Sequence, residues 1–526
     1  MSARQPDKVV QSLRSLLGDE NVVTDDGERR LYSQDVYDSG QTVAAIARPA
    51  NTKELAQCIA AATSAGLAVV PRGGGMSYTS GYLATEKNSI LVDMSRMNRI
   101  LEINRDDMYV TVECGVTWKT LHEALKPLGL RTPYWGTLSG IKATVGGGLS
   151  QNSVFWGSGI HGSATDSVIA LEVVLADGSI LKTGAGARMN GSPFFRHFGP
   201  DLTGLFTGDT GALGFKATAT FRLIQELPVK RFASFDFKNF DDQVKAMSEI
   251  SRRGLAAECF GFDSFLQNQR LLRESFGKDV KALGNVMKAA GSVMGGIKEG
   301  IKVAVAGRRF IADVAHSVHV FIEERIDASA DAVLAEVRDI AARHNGSEIE
   351  NSIPKILRAN PFGPVNTMVG PKGERWVPIH GLLPYSKTLG TLAAIDKLLE
   401  KRAGDMERFN IGIGYLLATL GTSTMIIEPV FFWPDALNDL HRHSVEPDVQ
   451  AGFSKFPEDL DARAMVQTMR KEIAAIFKEM GAVHLQIGKS YDYIDTINPP
   501  AAKLVRALKD ALDPKGRVNP GSLGLD

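Results

Sequence analysis

Several features that would assign the chain to a familiar class are scarce or missing. Its 526 residues contain only three cysteines, Cys58, Cys114 and Cys259, whose separation fits neither a metal-binding motif nor a disulfide framework. No stretch approaches the roughly 18 uninterrupted apolar residues that span a membrane. The 60 basic and 60 acidic residues cancel, so no overall positive charge favours nucleic-acid binding.

The N-terminal residues lack the apolar core of a signal peptide, so we expect a cytoplasmic protein. Residues 278–309 carry apolar side chains at helical spacing, with lysines outside the apolar stripe. A basic amphipathic helix of this kind either lies on the anionic inner face of a membrane or docks on its own domain with a solvated lysine face. Both interpretations stay open.

Glycine, in contrast, is abundant, with 52 residues that cluster beside predicted strands. The first cluster follows a predicted strand and comprises Pro71, Arg72, Gly73, Gly74, Gly75, Met76 and Ser77. Consecutive glycines permit a turn that aims several backbone N–H groups at one anion, as a diphosphate requires. The cluster lacks both the Gly-Lys-Ser/Thr of a nucleotide P-loop and the spacing of the dinucleotide fingerprint. A tight turn explains this cluster alone equally well.

Two further clusters strengthen the anion-binding interpretation. The second includes Thr144, Val145, Gly146, Gly147 and Ser150 and continues through Gly159, Ile160, His161 and Gly162. The third includes Gly211 and Gly214. Each of the three clusters adjoins a predicted strand.

With these loops, the segments at 96–104, 113–118 and 511–521 resemble the vanillyl alcohol oxidase / p-cresol methylhydroxylase (PCMH) family of flavoproteins. The resemblance implies FAD held between two small α+β subdomains, with an α+β cap domain over the substrate. The glycine loops are also similar to those of D-lactate and glycolate dehydrogenases. We therefore expect an α+β fold with a PCMH-type FAD-binding domain at 1–225, a cap at 226–480 and a C-terminal return at 481–526.

Departures from the family pattern carry predictions of their own. Some members attach FAD through a histidine that follows the first glycines, and this chain has Met76 at that place. Others attach FAD through a histidine of the cap, but the matching residues 345–379 contain no histidine. We therefore expect FAD to be bound non-covalently. Family oxidases tend to have Gly or Pro where Cys114 stands, so the resemblance favours a dehydrogenase that reduces a quinone, cytochrome or other carrier.

Two cap segments and one segment of the C-terminal return carry the candidate catalytic residues, which are His380, Glu428, His484, Lys489 and Tyr491. By resemblance, His380 lies on a cap strand facing the flavin, and the segment with His484 and Lys489 lies beside the ring. His380 or His484 would accept the substrate proton, and Lys489 would stabilise the reduced flavin. Glu428 is a carboxylate within an apolar run. Burying such a charge is unfavourable unless the group has a catalytic role or an ion-pair partner. The alternatives are core histidines, an ion-paired Glu428 and a tyrosine used for packing.

The apolar cap residues, which include Trp376, Phe431, Phe432 and Trp433, favour an aromatic or allylic alcohol that transfers hydride to flavin N5. The alternatives are a D-2-hydroxy-acid dehydrogenase that holds its carboxylate with Arg and Lys, and a flavin-binding scaffold without turnover. His441 and His443 are expected at an exposed helix end, so no metal site is predicted. The expected partners are the alcohol and an electron acceptor, and a homo-oligomer stays open.

Overall fold

The computed structural model describes residues 5–274 and 314–525 and builds them from both helices and sheets, as the predicted α+β class requires. The predicted amphipathic segment at 278–309 lies outside the described residues. Within the described ranges, no helix has the length and apolar character needed to span a bilayer.

The strands, numbered in chain order, form three large sheets and a small two-stranded pair. They are β1 (Val22–Val23), β2 (Ala45–Ala47), β3 (Ala68–Arg72), β4 (Ser89–Asp93), β5 (Ile100–Asn104), β6 (Tyr109–Glu113), β7 (Leu130–Arg131), β8 (Val168–Val174), β9 (Ile180–Lys182), β10 (Phe215–Arg222), β11 (Ile224–Gln225), β12 (Val229–Phe237), β13 (Glu258–Asp263), β14 (His316–Glu324), β15 (Ser347–Ile349), β16 (Arg375–Pro378), β17 (Gly381–Pro384), β18 (Gly412–Leu420) and β19 (Thr424–Trp433).

The described α-helices range from single turns to the long cap helix near residue 470. They are Gln5–Leu17, Asp26–Tyr32, Thr52–Ser64, Trp118–Leu125, Val145–Gln151, Ser158–His161, Ala164–Ser167, Leu202–Leu205, Phe240–Arg252, Ser264–Glu274, Asp327–Arg343, Ser352–Ala359, Tyr385–Lys401, Ala403–Phe409, Asp439–Ser444, Pro447–Gln450, Leu460–Met480 and Pro499–Leu512.

The first sheet has the strand order β1-β2-β4-β3 and is parallel apart from β1. Helix Thr52–Ser64 provides the crossover between β2 and β3, and the Asn51 side chain caps it by accepting from Glu54 N. The first glycine loop begins where β3 ends, at the carboxyl edge of this sheet. Ligands of parallel sheets commonly bind at that edge, so the topology places the loop where a cofactor can reach it.

The second sheet is antiparallel, with the order β5-β6-β10-β8-β9. The Asp177-Gly178 turn, a dipeptide typical of tight hairpins, joins β8 and β9. The second glycine loop leads into helix Val145–Gln151. Thr144 caps the N-terminus of this helix, since its side chain accepts from Gly147 N. The third loop leads directly into β10.

The cap is built on an eight-stranded antiparallel sheet with the order β15-β12-β14-β13-β18-β19-β16, and β17 also pairs with β19. One face packs under helices Phe240–Arg252, Asp327–Arg343, Tyr385–Lys401 and Leu460–Met480. The opposite face packs against the first half of the chain, where the Phe321 ring contacts Trp156 edge-on. This second face is the one that meets the glycine loops.

After the cap, the chain returns to the first sheet. Val518 forms a parallel bridge with Val69 of β3, and Asn519 N donates to the carbonyl of the same residue at 2.8 Å. The boundaries predicted at residues 225 and 480 stay predictions.

One local expectation is wrong. His441 is not at an exposed helix end but fully buried, and its Nε2 donates to the Val36 carbonyl at 2.9 Å. Only the neighbouring His443 is exposed. The cap and the N-terminal segment close over His441, a long-range contact that the local pattern did not show.

Candidate cofactor and substrate site

A large cavity lies between the three glycine loops and the inner face of the cap sheet. The walls on the glycine-loop side include Pro71, Gly73, Gly74, Gly75, Met76, Ser77, Tyr78, Cys114, Thr144, Gly146, Gly147, Ser150, Gly211, Gly214 and Lys216. The walls on the cap side include Leu266, Trp376, His380, Leu416, Ala418, Ile426, Glu428, Phe432, Leu485 and Gln486.

The first glycine loop presents a row of unused hydrogen-bond donors along this cavity. The backbone N–H groups of residues 73–78 donate to no acceptor among the described residues, although most buried N–H groups in proteins are paired. Successive unpaired N–H groups in a glycine-rich turn form a concave site for an anion. The loop therefore has the donors that a diphosphate needs.

Glycine is required in this loop because the second loop presses against it. A Cβ atom added to Gly73 would lie 2.3 Å from Thr144 Oγ1, and one added to Gly74 would lie 1.9 Å from the Lys142 carbonyl oxygen. Any side chain at either position would push the two loops apart. The close approach keeps the N–H row open toward the cavity.

The same loop carries a buried positive charge. The Arg72 side chain is only 7% exposed, and its guanidinium lies 4.1 Å from the ring centroid of Tyr32 and 5.4 Å from that of Tyr82. Among the described residues it pairs with no carboxylate, and its Nε has no hydrogen-bond partner. Burial, together with the charge of Arg72, lowers the pKa of nearby Lys142. An unpaired buried cation beside a row of free N–H groups fits the diphosphate of FAD.

The C-terminal segment fixes the loops from behind. The buried Asn519 Nδ2 donates to the Gly81 carbonyl at 2.8 Å and to the Thr210 carbonyl at 2.7 Å, and its Oδ1 accepts from Lys489 Nζ at 3.0 Å. Lys489 also donates to the Leu83 carbonyl, and burial lowers its pKa to about 8. Lys489 therefore joins backbone segments behind the loops rather than lining the cavity.

Several predicted cofactor residues lie away from the cavity walls. Val145 is buried in the core, and Arg72 lies behind the first loop, on the side of Tyr32 and Tyr82. The segment with Gly159, Ile160, His161 and Gly162 packs against the cap instead, because Gly159 N donates to the Ala257 carbonyl at 2.8 Å. Ile160 is 45% exposed, and burial lowers the pKa of His161 to about 4. Gly159 therefore belongs to the contact between the two halves, and none of the four residues lines the cavity.

His380 lies in the break between β16 and β17 and not in the middle of a strand. Its Nε2 donates to the Leu485 carbonyl at 2.8 Å, and its Nδ1 lies 3.5 Å from the Tyr491 hydroxyl. Burial, and then the charge of His484, lowers the pKa of His380 to about 3. Because both ring nitrogens face protein partners and the ring is neutral, His380 is poorly suited to accept a proton.

His484 and Tyr491 support His380 from outside the cavity. His484 Nδ1 donates to the His380 carbonyl at 2.7 Å, and its ring stacks on Tyr491 with centroids 3.9 Å apart. The Tyr491 hydroxyl accepts from His380 N at 3.0 Å. Burial lowers the pKa of His484 and raises the pKa of Tyr491. The three side chains form one packed unit, of which only His380 reaches the cavity.

Besides His380, the polar side chains that line the cavity near the cap include Tyr78, Gln486 and Glu428. Gln486 Nε2 donates to the Tyr78 hydroxyl at 2.8 Å, so the Tyr78 proton is free to point elsewhere. Burial, and then the charge of Glu428, raises the pKa of Tyr78, which keeps the phenol protonated. Sequence analysis gave Gln486 no role, although it stands in the segment that carries His484 and Lys489.

Strand alternation explains why Glu428 reaches the cavity. Ile426, Glu428 and Phe432 of β19 all line the cavity, since residues two or four apart on a strand share a face. Leu416, the partner of Glu428 on β18, lines it too. The carboxylate therefore stands in an otherwise apolar wall.

Arg470 is a buried cation whose Nη1 donates to Gln467 Oε1 at 3.2 Å and whose guanidinium lies 4.3 Å from the Tyr37 ring centroid. It is 5% exposed, pairs with no carboxylate of the described residues, and has no hydrogen-bond partner for its Nε. Its charge acts on the pKa of Tyr78, His380 and Tyr491. By contrast, Lys216 on the opposite wall pairs with the buried Asp209 at 2.6 Å. The described residues contain no group of three or more metal-binding side chains.

Comparison with known proteins identifies the cofactor domain. Residues 43–184 match the FAD binding domain, and residues 464–523 match the C-terminal domain of FAD linked oxidases. The glycolate oxidase subunit GlcD of Bacillus subtilis (strain 168) is 31% identical over 243 residues, which cover 46% of this chain and 50% of that protein. The mitochondrial D-lactate dehydrogenase [cytochrome] 1 of Saccharomyces cerevisiae is 27% identical over 258 residues, with coverage of 47% and 42%. The chain thus spans about half the length of the curated relatives it matches.

Solved structures match the fold over the whole chain. A p-cresol methylhydroxylase with substrate bound aligns with a TM-score of 0.75 at 17% identity, covering 100% of this chain and 98% of that one. The 4-ethylphenol oxidase of Gulosibacter chungangensis, solved with isoeugenol, aligns with a TM-score of 0.73 at 18% identity and the same coverage. At these identities the likeness establishes the fold alone.

Fold, loops and matched domains together define an FAD-binding protein with a PCMH-type architecture. The predictions of an FAD cofactor and of a PCMH-type α+β fold are confirmed. The chain therefore carries an FAD binding domain and the C-terminal domain of FAD linked oxidases within a fold shared with p-cresol methylhydroxylase and 4-ethylphenol oxidase.

Proposed function

We propose that the protein is an FAD-dependent dehydrogenase of a small, largely apolar alcohol, of the aromatic or allylic type. The observation that carries this proposal is the cap wall of the cavity. That wall is built from Trp376, Leu416, Ile426, Phe432 and Leu485, and among the described residues no arginine lines it. An apolar wall with a few convergent polar groups favours a neutral organic substrate.

The bound FAD would supply the oxidising chemistry by accepting hydride, and the chain supplies the groups that hold and deprotonate the substrate. Glu428 is the proton acceptor in this proposal, because it is the carboxylate on the cavity wall. Tyr78, whose hydroxyl accepts from Gln486, would donate a hydrogen bond to the substrate oxygen and so orient the substrate. His380 fixes the turn between β16 and β17 rather than taking the proton.

Cys114 supports a dehydrogenase over an oxidase. Its side chain is 1% exposed, lines the cavity and packs against Gly146, where an added Cβ would lie 2.8 Å from the Cys114 Cβ. A thiol at this place occupies space through which oxygen would approach the ring. The acceptor in this proposal is a quinone, a cytochrome or another carrier.

Arg470 favours a second candidate, a D-2-hydroxy-acid dehydrogenase. A buried guanidinium without a carboxylate partner is costly unless a ligand supplies the negative charge. The curated relatives named glycolate oxidase and D-lactate dehydrogenase support the same alternative. Arg470 does not line the cavity, so in this case its positive charge would stabilise the substrate carboxylate from behind the wall, and the substrate hydroxyl would still face Glu428.

Anaerobic titration of the FAD-loaded protein separates the two candidates. Aromatic and allylic alcohols, and separately D-2-hydroxy acids, are added while the visible flavin band is followed. Bleaching by alcohols alone supports the first candidate, and bleaching by hydroxy acids alone supports the second. Bleaching by neither class excludes both and leaves the flavin-binding scaffold.

Two variants assign the residues. Glu428→Gln keeps the size of the side chain but removes the base, so flavin reduction should slow by about 100-fold or more. Arg470→Met should weaken binding of a hydroxy acid by about tenfold or more but leave an alcohol unaffected. Lys471→Met, an equal charge change at an exposed neighbour on the same helix, is the control. Unchanged reduction rates in Glu428→Gln would remove Glu428 from the proposal.

A further inference from the structure

The surface loop that follows β9 exposes an unusual number of large apolar side chains. We name residues 184–198 the phenylalanine loop. In it Met189 is 88% exposed, Phe194 61%, Phe198 55% and Phe195 50%. Single exposed apolar residues are ordinary, but several together in one short segment mark an interaction surface.

The loop has a fixed backbone that holds these side chains outward. Ala185 N donates to the Phe195 carbonyl at 2.7 Å, which closes the loop at its base. Gly191 N donates to the Arg188 carbonyl at 2.9 Å and forms a turn at the tip. Arg196 anchors the far side through an ion pair with Asp201 at 2.8 Å and a hydrogen bond to the Thr165 carbonyl. Compact loops with closely spaced ends are frequently functional.

The charge around these side chains is positive. Residues 182–200 include Lys182, Arg188 and Arg196 but no aspartate or glutamate. Lys182 pairs with Glu172 and Arg196 with Asp201, whereas the exposed Arg188 has no carboxylate partner among the described residues. The tip therefore presents a free cation next to Met189 and near the phenylalanines.

We propose that the phenylalanine loop inserts into the interfacial region of a lipid bilayer that contains anionic lipids. Side chains exposed by half or more protrude from the surface, and a fluid bilayer accommodates protruding rings without a preformed complementary groove. Arg188 matches the negative charge of the lipid headgroups. The phenylalanine loop does not include residues 278–309, and the proposal goes beyond the proposed function, since it holds for either substrate class.

Vesicle flotation of the FAD-loaded full chain tests the proposal. The vesicles contain phosphatidylcholine and phosphatidylglycerol, and vesicles of phosphatidylcholine alone serve for comparison. A variant with Phe194→Ser, Phe195→Ser and Phe198→Ser should bind at least about 30-fold more weakly, since each buried ring contributes to partitioning. Arg188→Glu should lower binding to the anionic vesicles several-fold, so that the variant binds anionic and neutral vesicles equally.

The control replaces three apolar residues of similar exposure elsewhere, with Ile326→Ser, Leu460→Ser and Leu504→Ser, which are 60%, 63% and 62% exposed. This control should float like the wild type, and bound FAD reports that each variant is folded. Failure of the wild type to float, or equal flotation of the triple phenylalanine variant, overturns the proposal. The proposal is also overturned if the wild type self-associates without binding vesicles and the triple phenylalanine variant is monomeric. The loop would then contact a second copy of the chain.

Discussion

Gly74→Ala should weaken FAD binding because the first two glycine loops touch at this residue. The added Cβ would lie 1.9 Å from the Lys142 carbonyl oxygen, whereas ordinary contacts begin near 3.4 Å. The loops must separate by roughly 1.5 Å to relieve the overlap, and strain of this kind costs about 1–3 kcal/mol. If the free protein relaxes and FAD must force the loops together again, the dissociation constant should rise by about 5- to 150-fold.

The assay is titration of the apoprotein with FAD, followed by quenching of flavin fluorescence. It relies on the prediction that FAD is non-covalent, which acid precipitation tests directly by releasing yellow cofactor. Gly390→Ala, on cap helix Tyr385–Lys401, is the control because its added Cβ meets no atom within 4 Å. If folded Gly74→Ala protein binds FAD within about threefold of the wild type, contact between the loops does not position the cofactor cradle.

Two further predictions concern oxygen and pH. Cys114→Gly should speed reoxidation of the reduced flavin by air, measured by stopped flow after anaerobic reduction, and an unchanged rate would show that Cys114 does not restrict oxygen. Burial lowers the pKa of His380 and His441 to about 3, below the roughly 6.5 of an unfolded histidine, so the unfolded state binds more protons. The contribution of these two neutral histidines to the free energy of unfolding is therefore fully present above about pH 6.5. It falls as the pH drops toward 3, and the loss is about 2 kcal/mol per histidine at pH 5. Urea midpoints at pH 7.5 and 5.0 measure this loss, and His441→Gln should reduce it; an identical loss in that variant would contradict the assignment.

Local sequence patterns show where the first loop needs glycine. Gly73 to Gly75 follow a buried parallel strand. Glycine is needed there because the backbone approaches the second loop too closely for a side chain, and consecutive glycines in the sequence indicate such a close approach. The Asp177-Gly178 hairpin was predictable for the same reason. Turns and close backbone approaches depend on a few neighbouring residues, so a single sequence carries them.

Side chains on the substrate side were harder to assign because their roles depend on distant partners. His380 was predicted as a base, but its nitrogens face Leu485 and Tyr491, which lie more than 100 residues later in the chain. Lys489 was predicted beside the flavin, yet it bonds to Leu83 and Asn519. No local pattern shows which groups will satisfy a buried histidine or lysine.

Asn519 has a consequence for how the protein is made. Its amide joins the Gly81 and Thr210 carbonyls, and the first of these lies 438 residues earlier in the chain. While the ribosome is still synthesising the cap, the first and third glycine loops therefore lack the side chain that joins them. These two hydrogen bonds can form only after residue 519 has emerged, so we expect FAD to bind more tightly after that point than to a shorter nascent chain.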